Sequence, residues 1–295
     1  MSRSTHHSSC ACRLQQVDFF AMNEGMSAQQ LQDWEAQGFL ILRSFFTPER
    51  VQPLNEVVDQ LWRGRRMKTN PLVIDIFDGM RDGRRVFFRD APDEARKHPY
   101  KLNDLYLEYP QVRELVLDYR LTRVLNDVLG GAPMVCNTIN FEWGPQQEDH
   151  FDTFYMPPRE PNRMVAAWIA LEDATPDAGP LRYYPGSHKI PQFLFSHGRT
   201  DAIPSEMPNF RKYISHELEL RGLKPSMFVA KTGDVLIWHA QLFHGGYPIQ
   251  DSRRTRKTLV AHYFRAQDYN VRFWRVRRVR KDAYYYSRRH QAVIE

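Results

Sequence analysis

The sequence predicts a mainly β fold, a barrel with flanking helices, and three observations carry that prediction. Thr138-Ile139-Asn140-Phe141-Glu142, the apolar run Val235-Leu236-Ile237-Trp238 and Thr258-Leu259-Val260-Ala261-His262-Tyr263-Phe264 are short, rich in β-branched and aromatic residues, and suited to strands. Aromatic residues make up 13% of the chain, which suits a β-rich barrel with a lined pocket. Helical patterns stand ahead of these strands, where helices would buttress one sheet.

Residues 1–26, a tail of Ser, His, Cys and Gln, read as a disordered leader. Ser27 then offers a helix cap, with Gln30 three residues on as its capping-box partner. A short strand is expected from Gly38 to Leu42. Thr47-Pro48 reads as a cap with proline in the first turn, opening a helix whose apolar side is Val51, Leu54, Val57, Val58 and Leu61. One further helical stretch spans Val112 to Leu129. Residues 63–100, arginine-rich and without clear periodicity, and 190–225, a long connection, read as lid-like insertions. Their arginines suit either an anionic substrate or plain solvation. Residues 27–295 thus form a single domain ending in a basic extension, Val271 to Lys281, expected to pack across the barrel or against a second subunit in a homodimer.

The chemistry lies in His150-Phe151-Asp152, followed far downstream by a histidine and an arginine. Two imidazoles and one carboxylate bind divalent iron on one face and leave the other positions open, the ligand set of non-heme iron oxygenases. On a strand, residues i and i+2 share a side, so His150 and Asp152 can converge while Phe151 faces away. The second histidine is His239 or His244. His244 is favoured, because Gly245-Gly246 lets the backbone approach a metal or co-substrate. His239, beside Trp238 in an apolar run, reads as a hydrogen-bonded core histidine. An arginine on the returning strand could fork onto a carboxylate. Arg254 and Arg256 share a face there, so alternation leaves both open.

From about Glu35 to about Phe264 the chain resembles the phytanoyl-CoA dioxygenase family of Fe(II)- and 2-oxoglutarate-dependent oxygenases, related to ectoine hydroxylase. The residues that carry the resemblance are Gly38 to Phe46, His150-Phe151-Asp152, Ala167 to Asp173, Gly179-Pro180-Leu181, Pro185-Gly186-Ser187-His188-Lys189, and Gly233-Asp234 through His244-Gly245. The resemblance implies a double-stranded β-helix, a jelly-roll barrel of cupin-like form. It places iron on His150, Asp152 and His244, and the distal carboxylate of 2-oxoglutarate on Arg256 rather than Arg254. It matches Asn140 to a strand residue that contacts the co-substrate, and Lys101 to a position facing the same site. Trp168 is expected either to line the substrate pocket or to fill the core, and Phe151 lies beside that pocket. Relatives often carry Gln where this chain has Phe151 and Ser where it has Gly246. An intact Asp152 favours hydroxylation over halogenation, since related halogenases put a small residue there. Desaturation, epoxidation or ring closure would use the same residues.

The implied reaction consumes O2 and 2-oxoglutarate, releases succinate and CO2, and oxidises a small molecule, with secondary metabolism the expected setting. The alternative is a metal-binding barrel that senses a ligand without turnover. A nucleic-acid reading of the basic C-terminal stretch is discounted, because net charge is only +6 and acidic residues are spread throughout. No apolar run approaches the ~20 residues of a membrane span, and the start lacks the apolar core of a secretory signal. A cytoplasmic protein is therefore expected. Cys10, Cys12 and Cys136 cannot build a disulfide framework, in keeping with a reducing compartment.

Overall fold

The computed structural model describes residues 25–77, 83–269 and 275–293. The leader expected over 1–26 lies almost wholly outside the described residues. Helix α1 (Ala28–Gln37) starts at the expected capping box: Ser27 and Gln30 satisfy each other's backbone N–H groups. It stops at Gly38, whose φ of 76° is left-handed. Strand β1 (Phe39–Leu42) follows at once, then α2 (Pro48–Gly64), which buries Val51, Leu54, Val58 and Leu61. Each fully buried leucine of this kind contributes roughly 1.5–3 kcal/mol.

The described residues of 63–100, expected as a lid-like insertion, contribute strands to the main sheet. They supply β2 (Val73–Ile76) and β3 (Arg84–Phe87), which extend the main sheet beyond β4 (Tyr100–Asn103). Strands of four residues are too short to show a period, which is why the sequence hid them. Several of the arginines here are neutralised: Arg85 pairs with Asp75, Arg65 with Asp93, and Arg96 with Glu142 and Asp59. After the short helix α3 (Leu105–Glu108), the single helix expected over 112–129 is two, α4 (Pro110–Val116) and α5 (Tyr119–Leu129). Asp118 breaks the run because its carboxylate accepts from the Arg120 N–H and caps α5.

The remaining strands are β5 (Pro133–Phe141), β6 (Met164–Ala170), β7 (Leu181–Tyr183), β8 (Ser226–Phe228), β9 (Val235–His239), β10 (His244–Gly246) and β11 (Thr258–Arg265). The chain closes with the hairpin β12 (Val276–Arg280) and β13 (Ala283–Tyr286). The main sheet runs β1-β9-β6-β11-β5-β4-β2-β3, with β13 laid parallel to β5; a second sheet runs β10-β7-β8. One face of the main sheet packs on the helices through Leu125, Val165, Ala167, Leu259 and Ala261. The other face meets the second sheet through Trp168, Leu236, Trp238 and Val260 against Leu181, Tyr183 and Phe228. Alternation along the strands produces these two cores, as side chains at i and i+2 share a face. The basic C-terminal stretch, in its described part, packs beside β5 as a hairpin.

Helix α6 (Met207–Leu220), within 190–225, seals a third cluster of Phe151, Phe154, Phe195, Phe210 and Phe243. Among the described residues no helix is long and apolar enough to cross a membrane.

Two family-like motifs turn out to be joints. Asp234 accepts from Arg43 Nη1 at 2.6 Å and the Ser44 N–H at 2.7 Å, fastening the end of β1 to β9. Gly233, at φ 83°, lies so close to Phe46 that an added Cβ would stand 1.8 Å from its carbonyl oxygen. Gly233→Ala is therefore expected to cost at least ~2 kcal/mol, combining backbone strain and a backbone clash. Urea unfolding checks this, and a midpoint equal to that of the unaltered protein would contradict it.

Candidate active site

His150 and His244 form an isolated antiparallel bridge, each donating its backbone N–H to the other's carbonyl, at 2.8 and 3.1 Å. Such a pair puts both side chains on one face, and the two rings lie 4.4 Å apart, centroid to centroid. The run from Gly233 is thus not one strand ending in histidine. It breaks after His239, and His244 opens β10. Asp152 is likewise not on a strand but starts a single 3-10 turn, its N–H held by the Ala240 carbonyl at 3.1 Å. The convergence expected of the His-x-Asp pair survives that change. His150, Asp152 and His244 each bring one ligand atom to within 4.8 Å of the others, and all three are buried.

Hydrogen bonds settle which atoms are free. The Nδ1 atoms of His150 and His244 lie 2.8 Å from the carbonyl oxygens of Glu148 and Leu242. A carbonyl only accepts, so Nδ1 carries the proton and Nε2 presents a lone pair. Asp152 Oδ2 accepts from Trp238 Nε1 at 2.8 Å, leaving Oδ1 to face Nε2 of His150 at 3.7 Å and of His244 at 3.6 Å. Two neutral imidazole nitrogens and one carboxylate oxygen suit a divalent metal. Burial, reinforced by His244, holds His150 down at about 3, so it stays neutral. Burial alone would raise the Asp152 carboxyl, but the imidazoles of His244, His262 and His150 outweigh it and keep the group ionised.

Arg256 sits just before β11 and is only 2% exposed. Its Nε and Nη1 find no hydrogen-bond partner among the described residues, and burial lowers it to about 10. A buried guanidinium with two unpaired nitrogens calls for an anion from outside the chain. Arg254 does not share that character: it is exposed and pairs with Asp177 and Asp251. Trp168 lies under Arg256, 5.4 Å from guanidinium carbon to ring centroid, and its Nε1 is also buried without a partner.

Lys101 donates to Gln147 Oε1 at 2.8 Å, and its charge is felt at both Asp152 and His150. Burial, partly countered by Asp75, lowers it to about 8.

Asn140 is not brought to this group. Its cross-strand partners Leu102 and Leu259 belong to the helix-side core, and register partners share a face, so Asn140 points away from the metal ligands. Phe151 also leaves the pocket assigned to it, packing with Phe154, Phe210 and Phe243 beneath α6. Gly245 is required by a close approach, though to the protein itself. A Cβ there would meet Asp149 Oδ1 at 2.3 Å and the Gln147 carbonyl at 2.8 Å.

One residue escaped the sequence reading. His262 Nε2 stands 3.7 Å from Asp152 Oδ1. It lies at even spacing from Arg256 through Thr258 and Val260, so alternation along that strand could have placed it on the inner face.

The sequence model of the phytanoyl-CoA dioxygenase (PhyH) family matches residues 34–258. The chain belongs to that family. Ectoine dioxygenase of Bordetella bronchiseptica is 24% identical over 235 residues, covering 75% of this chain and 70% of that protein. Two solved structures share the fold. The α-ketoglutarate-dependent carbocyclase SnoK from nogalamycin biosynthesis has a TM-score of 0.61 at 16% identity, covering 83% of this chain and 86% of its own. EctD from S. alaskensis, with 2-oxoglutarate and 5-hydroxyectoine, has a TM-score of 0.60 at 18% identity, covering 83% and 79%. The family member described here is an Fe(II)- and 2-oxoglutarate-dependent dioxygenase, and its fold is the double-stranded β-helix.

His239 serves the scaffold: its Nδ1 accepts from the Gln241 N–H at 3.0 Å, with Trp34 and His188 beside its ring. Burial first, then His188 and Arg163, lower it from 6.5 to about 4. The unfolded chain therefore takes up this proton first as pH falls, and the stabilisation present above 6.5 is lost toward 4. Chemical unfolding across that window should show steeper acid destabilisation in the unaltered protein than in His239→Gln. Parallel curves would exclude the assignment.

Proposed function

We propose that His150, Asp152 and His244 hold Fe(II), and that Arg256 binds the distal carboxylate of 2-oxoglutarate. The observation that carries this is the pairing of two free Nε2 lone pairs and one free carboxylate oxygen with a buried, unpartnered guanidinium. The residues present thus fit both groups. Trp168 belongs with the co-substrate, because its ring lies against Arg256 and its buried Nε1 has no partner among the described residues. Lys101 adds positive charge from the β4 side of the site.

When bound, iron, 2-oxoglutarate and O2 supply the oxidising power, and the 2-oxoglutarate leaves as succinate and CO2. The chain's own part is to hold and shield. The backbone pair of His150 and His244 fixes the spacing of the two nitrogens, and the two carbonyls fix their tautomers. Trp238 holds Oδ2 of Asp152, so Oδ1 is the oxygen presented. Gly246 offers no hydroxyl, which leaves the guanidinium as the principal anchor for the co-substrate. The intact carboxylate at Asp152 favours oxidation of a C–H bond, hydroxylation first, over halide transfer. The substrate is a small molecule, and the match to a fold used in nogalamycin biosynthesis supports a place in secondary metabolism.

Arg256→Met should raise the KM for 2-oxoglutarate about ten- to a hundredfold, the loss expected for a charge-assisted hydrogen bond or two. Metal affinity should stay near that of the unaltered protein. Arg254→Met should leave both unchanged, and the reverse pattern would move the anchor to Arg254. Asp152→Ala and His244→Ala should abolish stoichiometric Fe(II) binding and succinate formation. Unaltered iron binding in either variant would sink the metal assignment. A mass-spectrometric screen for a metabolite that gains one oxygen identifies the substrate.

A further inference from the structure

His262 is the third imidazole turned toward Asp152, and it lies outside the group of three ligand atoms. It is 4% exposed, on β11 opposite Asn137 of β5. Its Nδ1 is 3.0 Å from Asn137 Oδ1. The orientation of that amide is decided one step further out, where Asn137 Nδ2 donates to Asp104 Oδ1 at 2.9 Å. Because the amide nitrogen faces Asp104, the oxygen faces His262, and Nδ1 must be the donor. His262 is thereby fixed with Nε2 aimed at Asp152.

Asp104 is fully buried and adopts φ 59°, a left-handed conformation that Asp visits only at some cost. Its second oxygen accepts from Arg288 Nη2 at 2.6 Å. Arg288 follows β13, which lies parallel to β5, and the Tyr106 hydroxyl donates to the Tyr286 carbonyl at 2.7 Å nearby. A chain of polar contacts therefore runs from half-buried Arg288 in the C-terminal segment through buried Asp104, Asn137 and His262, whose Nε2 stands 3.7 Å from the proposed iron ligand Asp152. Each link fixes the orientation of the next, and the loss of one leaves a buried polar group unpaired.

We propose that His262 is a positioning residue for Asp152, oriented by the C-terminal segment through Arg288, Asp104 and Asn137. The proposal rests on the metal site argued above. Trp238 secures Oδ2 of Asp152 by a hydrogen bond, and the His262 ring stands 3.7 Å from Oδ1, a packing contact that limits how far this oxygen can swing away from the two ligand histidines. The segment after β13, beyond the basic stretch Val271 to Lys281, then has a task at the metal centre that its sequence does not announce.

The test is anaerobic Co(II) titration of the full chain, reading affinity and visible ligand-field absorption, with thermal unfolding of the metal-free protein alongside. The unaltered protein should bind one Co(II), and His244→Ala should not. His262→Phe should weaken binding about ten- to a hundredfold, as for other partners of metal ligands, and shift the absorption bands. Arg288→Met should weaken binding several-fold and shift the bands in the same sense, with Arg288→Lys restoring both. The double variant should be no weaker than His262→Phe alone, since the relay passes through that ring.

Should His262→Phe fail to fold, the two Arg288 variants decide. An Arg288→Met protein that melts earlier but keeps the affinity and spectrum of the unaltered protein overturns the relay. Additive losses in the double variant overturn it as well. Failure of the unaltered protein to bind Co(II) would instead strike down the metal site itself.

Discussion

The structure depends on one backbone pair. His150 and His244 exchange both main-chain hydrogen bonds, and this bridge, backed by the Gly246 N–H donating to the Gln147 carbonyl at 2.9 Å, joins the segment after β5 to the second sheet. Two hydrogen bonds of ordinary length contribute only about 0.5–1.5 kcal/mol each to stability. Their value is geometric, because a paired antiparallel bridge leaves neither side chain a choice of face. Both imidazoles must then converge, and a metal bound there would tie the segment after β5 to the second sheet.

Much of the surrounding fold serves to keep that bridge in place. Ser187, from the Pro185–Lys189 motif, accepts the Phe243 N–H at 2.8 Å, one residue ahead of His244. The Gly186 N–H in turn donates to Gln37 at the end of α1, and an added Cβ on Gly38 would meet the His188 ring. The motif near the start of the chain and the one near its middle are therefore two halves of one contact. Phe151 and Phe243, neighbours of the ligands, are held in the aromatic cluster beneath α6, which excludes water from the ligand backbone on that side. The long connection at 190–225 contributes Phe195 and Phe210 to this cluster of rings.

The electrostatics of the site are arranged by burial and by choice of partner. His150 kept neutral by burial, a carboxylate kept ionised and an arginine whose Nε and Nη1 lack partners among the described residues are the arrangement that the proposed cation and anion would complete. Elsewhere the charge is internally balanced, as where Arg96 meets Glu142 and Asp59, or Arg43 meets Asp234. The contrast between these paired arginines and Arg256, buried without a partner for Nε and Nη1 among the described residues, is what supports Arg256 as the proposed co-substrate anchor.

Local chemistry in the sequence determined the helix starts at Ser27 and Thr47, the strand after Gly38, and the spacing of His150 and Asp152, since caps, turns and alternation act over a few residues. The ordered motifs also carried His244 and Arg256, and the neighbouring glycines favoured His244 over His239. What the sequence could not decide was which face of the main sheet a residue meets. Alternation ties His262 to the face of Arg256 but leaves the parity of β5 open, and only the register of β5 with β4 and β11 turned Asn140 toward the helices. Tertiary structure alone also built β2 and β3 from residues within 63–100 and brought Arg288 to Asp104. Those outcomes rest on contacts between segments far apart in the chain, where no local preference reaches.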